Sequence, residues 1–170
     1  MLKPLALAAL VLSTPALSQG ALAIECPLSH AIYGQPTSAT RAIFFQPDRD
    51  WAANQIAGFR LEIAGTSYDG TVHMPNGFSQ PKGRLTRDCA PDDTDTDACT
   101  FWDGIVYALV DGRIAELPHF VEDVPVDEMA PQQLLLPGFA ANVWYSMLRE
   151  EAFPGDDMVT DTFDLVACAK

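Results

Sequence analysis

Hydrophobic and polar positions alternate most cleanly over residues 57–64. Ala57, Phe59, Leu61 and Ile63 interleave with Gly58, Arg60, Glu62 and Ala64. Period two is the mark of a strand with one buried face. A second signal is stronger still. The apolar run Ile105–Val110 meets Asp111-Gly112, and a further run, Arg113–Leu117, follows at once. Asp-Gly between such runs favours a two-residue type I′ turn, because both central residues need positive φ. That turn predicts the register Val110 to Arg113, Leu109 to Ile114, Ala108 to Ala115, Tyr107 to Glu116 and Val106 to Leu117. Apolar residues then occupy both faces of the first strand, the pattern of a central strand covered on two sides.

Shorter patterns fill in the rest. Arg41–Gln46 reads as a strand ended by Pro47, and Asp48 or Asp50 can cap a short helical turn over Asp50–Asn54. Gly65-Thr66-Ser67 and Asp69-Gly70 both carry turn chemistry, and either leads into a strand over Thr71–Met74, which predicts a second hairpin. Pro75-Asn76-Gly77 is a further turn, and Phe78–Pro81 and Gly83–Arg87 are short strand pieces. Cys26–Thr40 and Phe120–Pro137 read as irregular. Phe139–Glu151 is the best helix: Phe139, Val143 and Met147 are spaced by four, with Ala140, Trp144 and Leu148 in a parallel row. Phe153-Pro154-Gly155 stops it. Thr160–Ala167 is a last strand.

The small pair Ala108 and Ala115 leaves room for a helix to cross the central hairpin, with Trp144 or Leu148 buried against it. The expected fold class is therefore α+β. It comprises an antiparallel sheet of hairpins and meanders with one main C-terminal helix packed on a face, stapled by disulfides.

Residues 1–23 change the setting of that domain. Lys3, the apolar run Leu5–Leu12 and small residues at cleavage spacing make a Sec-type signal peptide, cut after Ser18 or after Ala23. Cys26 follows Ile24 and Glu25, which is unlike a lipoprotein cleavage site. Residues 24–170 are expected to be a single exported globular domain, periplasmic or secreted, with no membrane insertion of the mature form. Four cysteines remain, an even count that implies two disulfides in an oxidising compartment. Three pairings exist; Cys89–Cys99 and Cys26–Cys168 are favoured. The first closes a short loop. The second ties the start of the domain to its end and stabilises by on the order of 4–5 kcal/mol at most. No CxxC and no Cys/His cluster at zinc spacing is present.

The formal net charge of −13 disfavours nucleic acid and anionic lipid as partners and favours cations or a basic protein. The most distinctive polar stretch is Asp88–Thr100, where Asp92, Asp93, Asp95 and Asp97 lie between two cysteines. Asp93, Asp95 and Asp97 alternate like the first ligands of a calcium loop. The pattern then fails, since Ala98 stands where the glycine belongs and Gly104 where the bidentate acid belongs. These three residues are the candidate metal ligands, for calcium, set against a plainly solvated acidic loop.

His30, His73 and His119 show no ligand spacing. Ser79, His73 and Asp69 lack the Gly-x-Ser-x-Gly elbow of a nucleophile. Adjacent acids such as Glu122/Asp123 or Glu150/Glu151 fall in Pro-rich or terminal stretches rather than across a cleft. Trp102 and Asp103, where the stapled loop meets the sheet, are the place a partner would anchor. The sequence thus supports a non-enzymatic exported acidic domain that binds a protein partner through Asp92, Asp93, Asp95, Asp97 and Trp102. The alternative is a small hydrolase or calcium-dependent protein with an unrecognised site.

Overall fold

A computed structural model describes residues 23–45, 54–75, 80–89, 99–117, 129–146, 148–149 and 158–170. Ten strands among them form one antiparallel sheet. They are β1 (Ala31–Gly34), β2 (Arg41–Phe45), β3 (Gln55–Ile63), β4 (Thr66–His73) and β5 (Lys82–Thr86), then β6 (Thr100–Ile105), β7 (Tyr107–Val110), β8 (Arg113–Glu116), β9 (Gln133–Leu135) and β10 (Thr162–Cys168). One helix, α1, spans Phe139–Tyr145, and a 3₁₀ turn covers Leu28–His30. The molecule is dominated by its sheet, so the expected α+β class holds only loosely.

The strand order is β6-β5-β4-β3-β2-β1-β10-β9-β7-β8. Strands β6 and β7 are eight places apart in it, yet only Val106 separates them in the chain. In a flat sheet eight spacings of about 4.8 Å would put them roughly 38 Å apart, and one residue advances the chain only about 3.4 Å. The sheet must therefore curl, and it forms a half-barrel whose flanks meet at Val106. The Val106 N–H donates to the Pro81 carbonyl at 3.0 Å and fixes that corner.

The β7–β8 hairpin has the predicted register from Tyr107–Glu116 to Val110–Arg113. Asp111 and Gly112 have φ of 51° and 72°, as a type I′ turn requires. Its position differs from expectation. The hairpin ends the strand order rather than sitting at its centre, and Val110 and Ile114 are 51% and 62% exposed. Its two-sided apolarity has another cause: Val106, Ala108 and Leu117 point into the barrel, while Tyr107 and Leu109 are half-buried on the outer side.

The helix is also corrected. It ends at Tyr145, because Ser146 turns to extended backbone and its hydroxyl donates to the Val143 carbonyl at 2.9 Å. Phe139, Val143 and Leu148 are buried, but Trp144 is only half-buried with the Arg149 guanidinium 4.0 Å over its ring. The main partner of α1 is β6, not the β7–β8 hairpin. Phe139 meets Trp102 edge to face at 6.0 Å and Phe163 at 5.5 Å.

Further differences are local. Part of the supposedly irregular Cys26–Thr40 stretch is β1, which pairs with both β2 and β10. The β3–β4 hairpin turns at Ala64-Gly65, both with positive φ, and Asp69-Gly70 lies inside β4. Gly70 sits opposite Phe59, whose ring occupies the space a Cβ there would need. Within the expected irregular stretch 120–137, Gln133–Leu135 is a strand joining β10 to β7. The expected turns at 50–54 and 75–77, the strand piece at 78–81, Met147 and the helix end at 150–155 lie wholly or partly outside the described residues.

Two non-local clips hold the elements together. Asp161 receives the N–H groups of Gly138 at 2.9 Å and Ala140 at 2.8 Å, so it caps α1 from more than twenty residues away. Gln35, buried in the β1–β2 connection, receives the Thr160 N–H at 3.1 Å, and its own amide donates to the Thr160 carbonyl. Both disulfides, Cys26–Cys168 and Cys89–Cys99, have the favoured pairing.

Candidate functional site

The acidic stretch leaves the sheet between β5 and β6, and the structure defines its neck. The ladder of these strands shifts register between Leu85 and Thr86 and ends at Thr86–Thr100. The Arg87 N–H then donates to the Cys99 carbonyl at 2.9 Å. The disulfide follows, with Cys89 and Cys99 Cα atoms 5.4 Å apart. Cys89 and Cys99 therefore stand side by side at one point at the end of the β5–β6 ladder. Asp88 has a φ of 53°, a left-handed conformation that a short polar side chain tolerates. Arg87 bonds the Asp88 carboxylate at 3.3 Å and lies 5.7 Å over the Tyr68 ring, which packs edge to face on Phe101. The candidate residues Asp92, Asp93, Asp95 and Asp97 themselves lie outside the described residues.

Trp102 is not at the surface of this neck. It is 1% exposed, on the inner side of β6 under Phe139, and its indole N–H has no partner among the described residues. The reason is visible in its neighbours. Gly83 and Gly104 have no side chains, and the indole fills the space theirs would take. Asp103 points to the other face. It accepts from Arg84 at 3.0 and 3.1 Å and lies 4.0 Å from Lys82. So β6 separates the two residues that the sequence placed together as an anchor.

His73 stands opposite Lys82 on the same outer face. Burial is the largest influence on it and lowers its pKa, with Arg84 and Lys82 acting in the same sense and Asp103 opposing. His30 is exposed, its Nδ1 2.8 Å from the Ser29 hydroxyl, and His119 and Ser79 lie outside the described residues. Asp69 sits across from Thr86, on the outer face. Among the described residues no three His, Cys, Asp or Glu side chains group so as to hold a metal.

The inner side of the curled sheet is apolar. A cavity lined by Phe44, Phe59, Val72, Val106, Leu134 and Phe163 measures only about 10 Å³. A void of that size and polarity barely admits one water and has no group to hold it. Outward positions carry Arg60, Asp69, Lys82, Arg84 and Asp103, the reverse of the alternation that a lipid-facing barrel needs. No helix among the described residues is long and apolar enough to cross a membrane. The two disulfides fit an oxidising environment.

Between Cys89 and Cys99 the chain carries four Asp, at 92, 93, 95 and 97, in nine residues, with no Lys or Arg among them.

Comparison with protein-family models, with curated proteins and with solved structures gives no match to this chain.

Proposed function

We propose that this chain is a non-enzymatic exported domain that binds a basic protein through the acidic loop between Cys89 and Cys99. The observation that carries the reading is the density of one charge between two bonded cysteines: four Asp and no Lys or Arg in the nine residues that Cys89–Cys99 encloses. Pinning both ends of a loop lowers the ordering cost of binding. An excess of one sign on it raises the association rate for a partner of the other sign and makes that rate sensitive to salt. An inhibitor of a basic enzyme is one form the activity takes.

The test is affinity capture from the native compartment at low and high salt, using the wild-type domain and an Asp92→Asn/Asp93→Asn/Asp95→Asn/Asp97→Asn variant. The expected result is a basic protein held at low salt, released at high salt, and lost to the variant while its melting temperature is unchanged. A partner that both proteins retain equally would remove the loop from the interface.

A further inference from the structure

The two disulfides are nested: the short one, Cys89–Cys99, lies wholly inside the span of the long one. Their sequence separations are 10 and 142 residues. In an unfolded chain the chance of two residues meeting falls as about the 3/2 power of the intervening length. Cys89 and Cys99 therefore meet about fifty times as often as Cys26 and Cys168. Cys26 has a different problem. Its wrong partners, Cys89 and Cys99, are only 63 and 73 residues away by their numbering, so each is favoured over Cys168 about threefold. The same competition faces Cys168. The native long bond is the least favoured pairing in the unfolded chain.

Folding reverses that order. Cys168 ends β10 and pairs in register with Ala31 at the start of β1, five residues after Cys26. The Cys26 carbonyl accepts the Ala130 N–H at 2.8 Å, and the His30 carbonyl accepts the Ala169 N–H at 2.7 Å. Cys26 and Leu28 are buried in the core, and the Cα atoms of Cys26 and Cys168 stand 6.1 Å apart. The barrel brings these two cysteines together only after strands from both ends of the chain have paired.

We propose that the nested disulfides are a built-in ordering device. Cys89–Cys99 closes in the unfolded chain. By occupying both competing thiols it leaves Cys26 with Cys168 as its single partner, and that bond closes on the folded barrel. Each closure joins two thiols, releases two protons and passes two electrons to a disulfide oxidant, whose own bond breaks to give two thiols. Glutathione disulfide serves as that oxidant in the test.

The reduced full chain is oxidised in a glutathione buffer, first in guanidinium and then after dilution to native conditions. Free thiols are alkylated at intervals and the bonds are mapped by mass spectrometry. In guanidinium Cys89–Cys99 should exceed Cys26–Cys168 by tens of times. After dilution Cys26–Cys168 should rise together with the folded near-ultraviolet signal, not before it. Cys89→Ser frees one competitor, so in guanidinium Cys26–Cys99 and Cys99–Cys168 should outnumber Cys26–Cys168. Cys89→Ser/Cys99→Ser should yield Cys26–Cys168 as the sole intramolecular bond. These unfolded-state measurements hold even if a variant fails to fold. The proposal is overturned if crossed pairs match Cys89–Cys99 in the unfolded wild type. It is equally overturned if Cys89→Ser forms Cys26–Cys168 as cleanly as the double variant.

Discussion

Single side chains in this protein act mostly across long stretches of sequence. Asp161 binds two N–H groups at the start of α1, where Gly138 has no side chain to cap with. Asp161→Ala should cost about 1–2 kcal/mol in urea unfolding, the usual value of a lost cap. Tyr33 donates to the Pro131 carbonyl at 2.8 Å from inside the core, and burial holds its phenol well above the ordinary range, so it remains a donor at any working pH. His73 gives a pH signature. Its folded pKa lies below 6.5, so the unfolded chain takes up the proton first as the medium is acidified. Its contribution is thus neutral above pH 6.5 and increasingly destabilising below, until the folded form also protonates. His73→Gln should lose less stability than wild type on acidification through this window, measured by denaturation midpoints on either side of it; equal losses would refute the assignment. Gly70 shows why some residue-level reading failed. Asp-Gly is good turn chemistry, but here the glycine makes room for the Phe59 ring across the strand, which no local pattern reveals.

At the scale of elements, hairpins were legible and their neighbours were not. Asp111-Gly112 dictates both turn type and register because two residues decide them. The alternation over residues 57–63 likewise places Phe59, Leu61 and Ile63 in the core. By contrast β1 is four residues long and is stabilised by strands on both sides, so little of its stability is written in its own sequence. The helix was read as continuous to residue 151, whereas α1 ends at Tyr145, where Ser146 turns to extended backbone. This changes which residue matters. Phe139, packed between Trp102 and Phe163, should cost about 3–5 kcal/mol when changed to Ala. Tyr145, 86% exposed, should cost under about 0.5 kcal/mol. Thermal or urea unfolding of the two variants checks both values.

For the whole molecule, strand order was the illegible part. β1 and β10 are paired from opposite ends of the chain, and β6 and β7 are consecutive yet flank the sheet. Such pairings follow from closing one core, not from any window of residues. Around the candidate site the Cys89–Cys99 pairing was legible, and the burial of Trp102 was not, because it depends on glycines in two strands. Removing the long disulfide by Cys26→Ser/Cys168→Ser should destabilise by up to about 5 kcal/mol, against about 3 for Cys89→Ser/Cys99→Ser, because the longer loop restrains the unfolded chain more. That long bond also sets how the molecule carries tension. Cys26 and Cys168 stand at the same end of the paired strands β1 and β10. A pull applied at Glu25 and Ala169, just outside the two cysteines, would, in the reduced protein, open this ladder one hydrogen bond at a time, a zipper geometry that yields at low force. In the oxidised protein the load runs from Cys26 straight to Cys168 and bypasses all ten strands. Stretching a single molecule by these two residues should therefore give no unfolding step until a reductant is added.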